Sequence, residues 1–175
     1  MIQQFRFAGT GGQGIGVMGV VFAEAGVLEG KEVAFSQSYG PEARGGASRT
    51  DVIISDSYIY YPRVTEPDFM VILSQASFDR YVKKSDSNCI TIVDASIDTE
   101  DGEGISLIKV AIIDTTLKEF KKPVFSNFLA LGVLVKVSQS VSCKSLEEAV
   151  KRRMGGKYLI ENLKALSIGF ELINK

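Results

Sequence analysis

Apolar and polar residues along this chain change period from two to continuous runs and then to 3.6, and those changes mark the elements. Ile2 to Ala8 reads as an opening strand, with Phe5, Phe7 and Ala8 apolar. A helix follows from about Gly14 to Leu28, with Gly30 placed as its C-cap. Val33 and Phe35 begin a second strand over about Lys31 to Ser38, so the three elements predict a βαβ unit with a right-handed crossover. Thr50, Val52 and Ile54 alternate as one face of a third strand, and Ser55-Asp56-Ser57 predicts a hairpin turn into Tyr58 to Tyr61.

Pro62 and Pro67 bracket a short connector. Phe69 to Leu73 is continuously apolar, as in a strand buried on both faces of a parallel sheet. A helix is expected over about Ala76 to Lys84, a strand over Asn88 to Val93 ending in Asp94, and a short strand over Ile105 to Val110. Asp98 to Gly104 reads as a solvated loop, because the D-x-D-x-D-G order of a calcium loop is missing. From Ser126 onward the pattern is helical. Phe128, Leu129, Leu131, Leu134 and Val135 are apolar on nearly every side, which suits a helix buried in the core or under a partner. Ser145 and Glu148 predict a capping box, with Glu147–Lys151 and Glu148–Arg152 as supporting i,i+4 pairs. Gly155-Gly156 ends that helix, and Leu159, Leu163, Leu166 and Phe170 stripe a final amphipathic one. The pattern predicts a single α/β domain over residues 1–175. It has three layers (α/β/α), a mostly parallel, mixed central sheet and a helical C-terminal third.

Composition narrows the function classes. With 20 basic and 21 acidic residues the formal net charge is −1, so no global basic field recruits nucleic acid or membrane. The longest apolar stretch, Phe128 to Val135, is too short to span a bilayer, and the first residues lack the layout of a signal peptide, so a cytoplasmic location is expected. Cys89 and Cys143 are the two cysteines, too few for an iron–sulfur cluster or structural zinc. Histidine is absent, which removes Ser-His-Asp and Cys-His catalysis. No catalytic residue and no metal site is expected on this chain.

Two glycine-rich loops carry what chemistry there is. GTGGQGIG at 9–16 sits between the first strand and the first helix, and Gly9, Gly11 and Gly14 meet the G-x-G-x-x-G spacing. Strand, glycine loop and helix aim backbone N–H groups and a helix N-terminus at an anion. Glycine turns that only pack a helix on a sheet meet the same spacing. A dinucleotide site also wants an acid about 20 residues on, at the end of the second strand, where this chain has Ser36, Gln37 and Ser38. The second loop, Tyr39 to Gly46, follows the second strand, so both loops fall at the carboxyl edge of the sheet. Tyr39, Glu42 and Arg44 offer a ring, a carboxylate and a planar cation. Arg44 suits bidentate binding of carboxylate or phosphate, and equally a pairing with Glu42 that only holds the loop.

GTGGQGIG, the segment SQSYGPEARGGASRTDVIIS at 36–55, Tyr61-Pro62, Asp68 with its apolar strand, Asn127, Leu131-Gly132, and SLEEAVKRR with Glu161-Asn162 together resemble the gamma subunit of 2-oxoacid:ferredoxin (acceptor) oxidoreductases. The Tyr-Gly-Pro-Glu form is most similar to 2-oxoglutarate-type members. The resemblance implies a heteromeric enzyme that oxidatively decarboxylates a 2-oxoacid to its acyl-CoA. Thiamine diphosphate, magnesium and iron–sulfur clusters would be carried by alpha, beta and, where present, delta subunits. This chain would bind no cofactor alone and be catalytically silent alone, with coenzyme A at the interface. The residues it points to for cofactor contact are Gly11, Gly12, Gln13, Gly14, Tyr39, Gly40, Glu42, Arg44 and Gly45. Two other readings remain open at this point. One is a stand-alone nucleotide-binding, Rossmann-like enzyme; the other is a non-catalytic scaffold or regulatory domain.

Overall fold

A computed structural model describes residues 1–38, 46–82, 88–99, 105–156 and 158–173. The strands are β1 (Ile2–Thr10), β2 (Glu32–Gln37), β3 (Ala47–Ser55), β4 (Phe69–Ile72), β5 (Ile90–Asp94) and β6 (Ser106–Val110). They form one six-stranded sheet in the order β2-β3-β1-β4-β5-β6. β1, β4, β5 and β6 run parallel, and β3 is antiparallel to both its neighbours.

This order corrects two expectations. β1 and β2 do not pair, because β3 returns between them, with Phe7 opposite Thr50 and Phe35 opposite Val52. The Ser55-Asp56-Ser57 turn opens no hairpin. With β1 and β2 on its two edges, β3 has no free backbone ladder left for a further strand. Residues 56–68 instead form an irregular connector, which the N-terminal amine anchors to the Asp56 carboxylate at 2.8 Å.

The helices are α1 (Ile15–Leu28), α2 (Gln75–Ser77, continuing into a π turn, Phe78–Val82), α3 (Ile112–Phe120), α4 (Ser126–Ser138), α5 (Cys143–Arg153) and α6 (Leu159–Leu172). Lys83 and Lys84 of the helix expected at 76–84, and most of the 98–104 loop, lie outside the described residues. α3 was not anticipated, since its Ile-Ile-Asp-Thr-Thr start is rich in β-branched residues that favour strands. Tertiary structure starts it: the buried Asp94 carboxylate at the end of β5 accepts the Ile113 N–H at 2.8 Å. α5 begins three residues before the expected capping box, on Ser142, whose hydroxyl accepts the Ser145 N–H at 3.0 Å. The Glu148–Arg152 pair forms, at 3.2 Å.

Strand alternation sorts the core into two layers. Phe5 and Phe7 of β1, Val52 and Ile54 of β3, Val71 of β4 and Ile92 of β5 share the main cluster with α1, α4, α5 and α6. Phe5 packs edge-on against Phe22 of α1 at 4.7 Å and stacks on Phe69 at 5.4 Å. Ala8, Met70, Ile72 and Val93 face the other way, under Phe78 and Val82. Ser126 through Val135 are all buried, so α4 is apolar on every side because it is enclosed on every side. α6 closes over it with Gly169 against Gly132, where a Cβ on either glycine would run into the opposite backbone.

Candidate functional site

The loop between β1 and α1 is short and braced by its own side chain. Gly12 and Gly14 take left-handed backbone, with φ of +90° and +71°. The Gln13 Oε1 accepts the Thr10 N–H at 2.7 Å, while its Nε2 donates to the Leu73 carbonyl just beyond β4 at 2.9 Å. Gln13 thus spans the carboxyl ends of β1 and β4 and fixes the loop against the sheet. Gly11 and Gly12 remain exposed.

Gly14 is the N-cap of α1, so it brings no side chain to the N–H groups of the first turn. That turn holds no acidic residue either, which leaves the positive end of the helix dipole without a compensating group from α1 itself. The space a Cβ on Gly14 would take is filled by the amide of Asn127, the second residue of α4. Asn127 is buried, and its Oδ1 accepts the Phe128 N–H at 2.9 Å. Its Nδ2 therefore faces the glycine loop as a donor.

Beside this helix start lies a cleft of about 620 Å³, lined by Gly12, Gly14, Val17, Val20, Gln37 and Met154 among others. Arg153 stands at its rim, where Glu24 takes its guanidinium through contacts of 2.6 and 3.1 Å. Among the described residues lining the cleft, Arg153 is the one charged side chain. The arrangement supplies N–H donors beside an apolar wall. It can bind and orient an anionic group attached to an apolar body, and the described residues lining it include no carboxylate, cysteine or histidine.

Of the expected site residues, the structure brings Gly11, Gly12 and Gly14 to one edge and turns Gln13 inward as a brace. Tyr39, Gly40, Glu42, Arg44 and Gly45 lie outside the described residues. Asn127 belongs with the glycine loop in space although 113 positions separate it from Gly14. Asn127 was not among the expected site residues; a lone asparagine at the head of an otherwise apolar helix is the signal that could have found it. The end of β2 does reach the helix start: the Gln37 side-chain amide fills the space a Cβ on Gly16 would take and lines the cleft with Gly12 and Gly14, so a neutral amide stands where a dinucleotide site would place its acid.

Comparison with known proteins gives the family. Residues 4–172 match the family model described as pyruvate ferredoxin/flavodoxin oxidoreductase. The 2-oxoglutarate synthase subunit KorC of Archaeoglobus fulgidus is 39% identical over 95% of this chain and 86% of its own length. The corresponding subunit of Methanocaldococcus jannaschii is 36% identical over 98% and 94%. Among solved structures, the keto/oxoacid ferredoxin oxidoreductase gamma subunit of Geobacter sulfurreducens superposes with a TM-score of 0.88 at 34% identity, covering 98% of this chain and 96% of that one. The 2-oxoglutarate:ferredoxin oxidoreductase of Magnetococcus marinus, solved with 2-oxoglutarate, coenzyme A and succinyl-CoA bound, superposes equally well at 0.88 and 26% identity, but this chain covers 31% of it. Sequence, fold and extent agree: the chain belongs to the pyruvate ferredoxin/flavodoxin oxidoreductase family, as a counterpart of its separate gamma subunits.

Proposed function

We propose that this chain, as the gamma subunit of a heteromeric 2-oxoacid:ferredoxin oxidoreductase, acts in the oxidative decarboxylation of 2-oxoglutarate to succinyl-CoA, and that its glycine-loop edge borders the coenzyme A path. The observation that carries the second part is the uncapped N-terminus of α1, joined by the Asn127 amide and opening on a 620 Å³ cleft. A phosphate fits N–H donors at a helix start, and the apolar wall suits the less polar part of the same molecule. Thiamine diphosphate, magnesium and the iron–sulfur clusters belong, on this reading, to alpha and beta subunits, with delta where the assembly has one. Arg44 of the second loop is the proposed phosphate partner or the residue that orients Glu42 and Tyr39. The assembly acts in the cytoplasm, as one domain per gamma chain.

Co-expression with alpha and beta subunits tests both parts. The purified chain with thiamine diphosphate alone should oxidise no 2-oxoacid, and the assembled complex should. In that complex Arg44→Ala and Gly12→Val should raise the KM for coenzyme A well above any change in the KM for 2-oxoglutarate. A lost charge-assisted contact corresponds to about tenfold or more in KM. Unchanged coenzyme A constants in an intact complex would leave the loops as assembly elements. Tight calorimetric binding of NAD, NADP, FAD or ATP by the isolated chain would favour a nucleotide enzyme instead.

A further inference from the structure

At the same carboxyl edge, but on the sheet face opposite α1, the structure holds a second, polar pocket of about 420 Å³. Its floor is Ser36 of β2 with Arg49 and Asp51 of β3, and its roof is the connector, through Tyr61, Arg63 and Thr65. Strand alternation puts Ser36, Arg49 and Asp51 on the face away from Phe35 and Val52. The roof is held in place from below. The Thr65 N–H donates to the Gln4 Oε1 at 3.0 Å, Arg6 Nη2 donates to the Val64 carbonyl at 3.3 Å, and Gln4 N–H donates to the Asp68 carboxylate at 2.7 Å.

The charges do not balance. Asp51 is the one carboxylate among the described lining residues. Arg6, nearly buried, already takes both of its oxygens, at 2.9 and 3.1 Å. Arg49 reaches the same carboxylate only at 3.4 Å, with 38% of its side chain exposed. Arg63 makes no ion pair among the described residues, and it lines the roof. Arg6 matches the one buried carboxylate and Arg49 shares it at longer range, so among the described lining residues Arg49 and Arg63 bring more positive charge to the pocket than Asp51 offsets. Ser36, Tyr61 and Thr65, each a hydroxyl-bearing residue, also line the pocket. Guanidinium forks with hydroxyl donors complement oxyanions, and a pocket of this size accepts a small molecule rather than a protein segment.

We propose that this pocket, formed where β2 and β3 meet the 61–65 roof, binds a small oxyanion, a phosphate or a dicarboxylate, between Arg49 and Arg63. Gln37 at the end of β2 lines both this pocket and the glycine-loop cleft, but Arg49 and Asp51 lie on the other face of the sheet, so the arginine site stands or falls independently of the coenzyme A reading.

Calorimetry on the full-length chain at fixed ionic strength tests it, with inorganic phosphate and succinate as probes. Saturable one-to-one binding of either is expected; which probe binds tells phosphate from dicarboxylate. Arg63→Gln should weaken that binding about tenfold or more, the loss of one charge-assisted contact, and Arg49→Gln should do the same. Gly12→Val, on the other face, should leave it unchanged. Circular dichroism checks each variant, and because Arg63 is exposed on the connector its variant decides the matter if Arg49→Gln disturbs the Asp51 cluster. Absence of saturable binding up to about 10 mM, tenfold above a millimolar dissociation constant, would overturn the proposal. So would binding that survives the Arg49→Gln/Arg63→Gln double variant, or binding abolished by Gly12→Val.

Discussion

The Asn127 amide occupies the space that a side chain on Gly14 would need, so the first turn of α1 and the first turn of α4 are locked in one arrangement. Gly14 also sits at a φ of +71°, where an L side chain is strained. Gly14→Ala should therefore cost about 2–4 kcal/mol, combining left-handed strain with overpacking. In an Asn127→Ala background the clash disappears and only the strain of about 1–2 kcal/mol should remain. Urea melts of the four species in a double-mutant cycle measure the difference, and equal costs in both backgrounds would dissolve the coupling.

Gln13 closes its loop by satisfying two main-chain groups that would otherwise lie unpaired, the Thr10 N–H and the Leu73 carbonyl. Gln13→Ala should lower stability by about 1–3 kcal/mol, the cost of leaving such groups without partners. Hydrogen exchange at the Thr10 amide should speed up more than exchange across β5. Uniform acceleration everywhere would mean that the bond is not a local brace.

Gly132 and Gly169 let α4 and α6 approach backbone to backbone. Helix propensity alone would have Gly169→Ala stabilise the protein by about 1 kcal/mol. The added methyl would meet the Leu129 carbonyl and the Gly132 Cα, neither of which can swing aside, so overpacking of about 1–3 kcal/mol should win and the melting temperature should fall. Gly155→Ala is the control, because its nearest obstacle, the Lys151 carbonyl, is 3.9 Å away.

Glu29 links the end of α1 to the start of α5. Burial pushes its carboxyl up, but the Ser142 N–H at 2.6 Å, the Ser145 and Ser142 hydroxyls and Lys31 together bring it below the ordinary glutamate value. A carboxylate depressed by folding adds stability that is present above its unfolded pKa and lost as pH falls through the folded one. Wild type should therefore exceed Glu29→Gln in melting temperature at pH 7, and the gap should close on acidification below about pH 4.3. A gap that persists at pH 2.5–3 would assign the effect to packing.

By itself, the sequence determined the class of this protein and most of its parts. The apolar run at 69–73, the alternation around Phe5 and Phe7, and the all-round apolar stretch from Phe128 are local burial patterns, and local burial is written into residue order. The two glycine loops and the family likeness also came from order alone, as did the expectation that catalysis lies elsewhere. What tertiary structure decided is adjacency. Whether β2 pairs with β1 or with β3 depends on which non-local ladder closes, and the period-two pattern is the same for both partners. The start of α3 depends on Asp94, held at the end of another strand, against the β-branched residues of its own first turn. The role of Gln13 as a brace and of Asn127 as the group that fills the cap of α1 follows from chain segments meeting across 60 and 113 positions. Arg49 and Arg63 come to one pocket only because β3 and the connector meet there. Propensity and periodicity act over a few residues. A binding site is made where distant segments share one space, and only packing settles which segments those are.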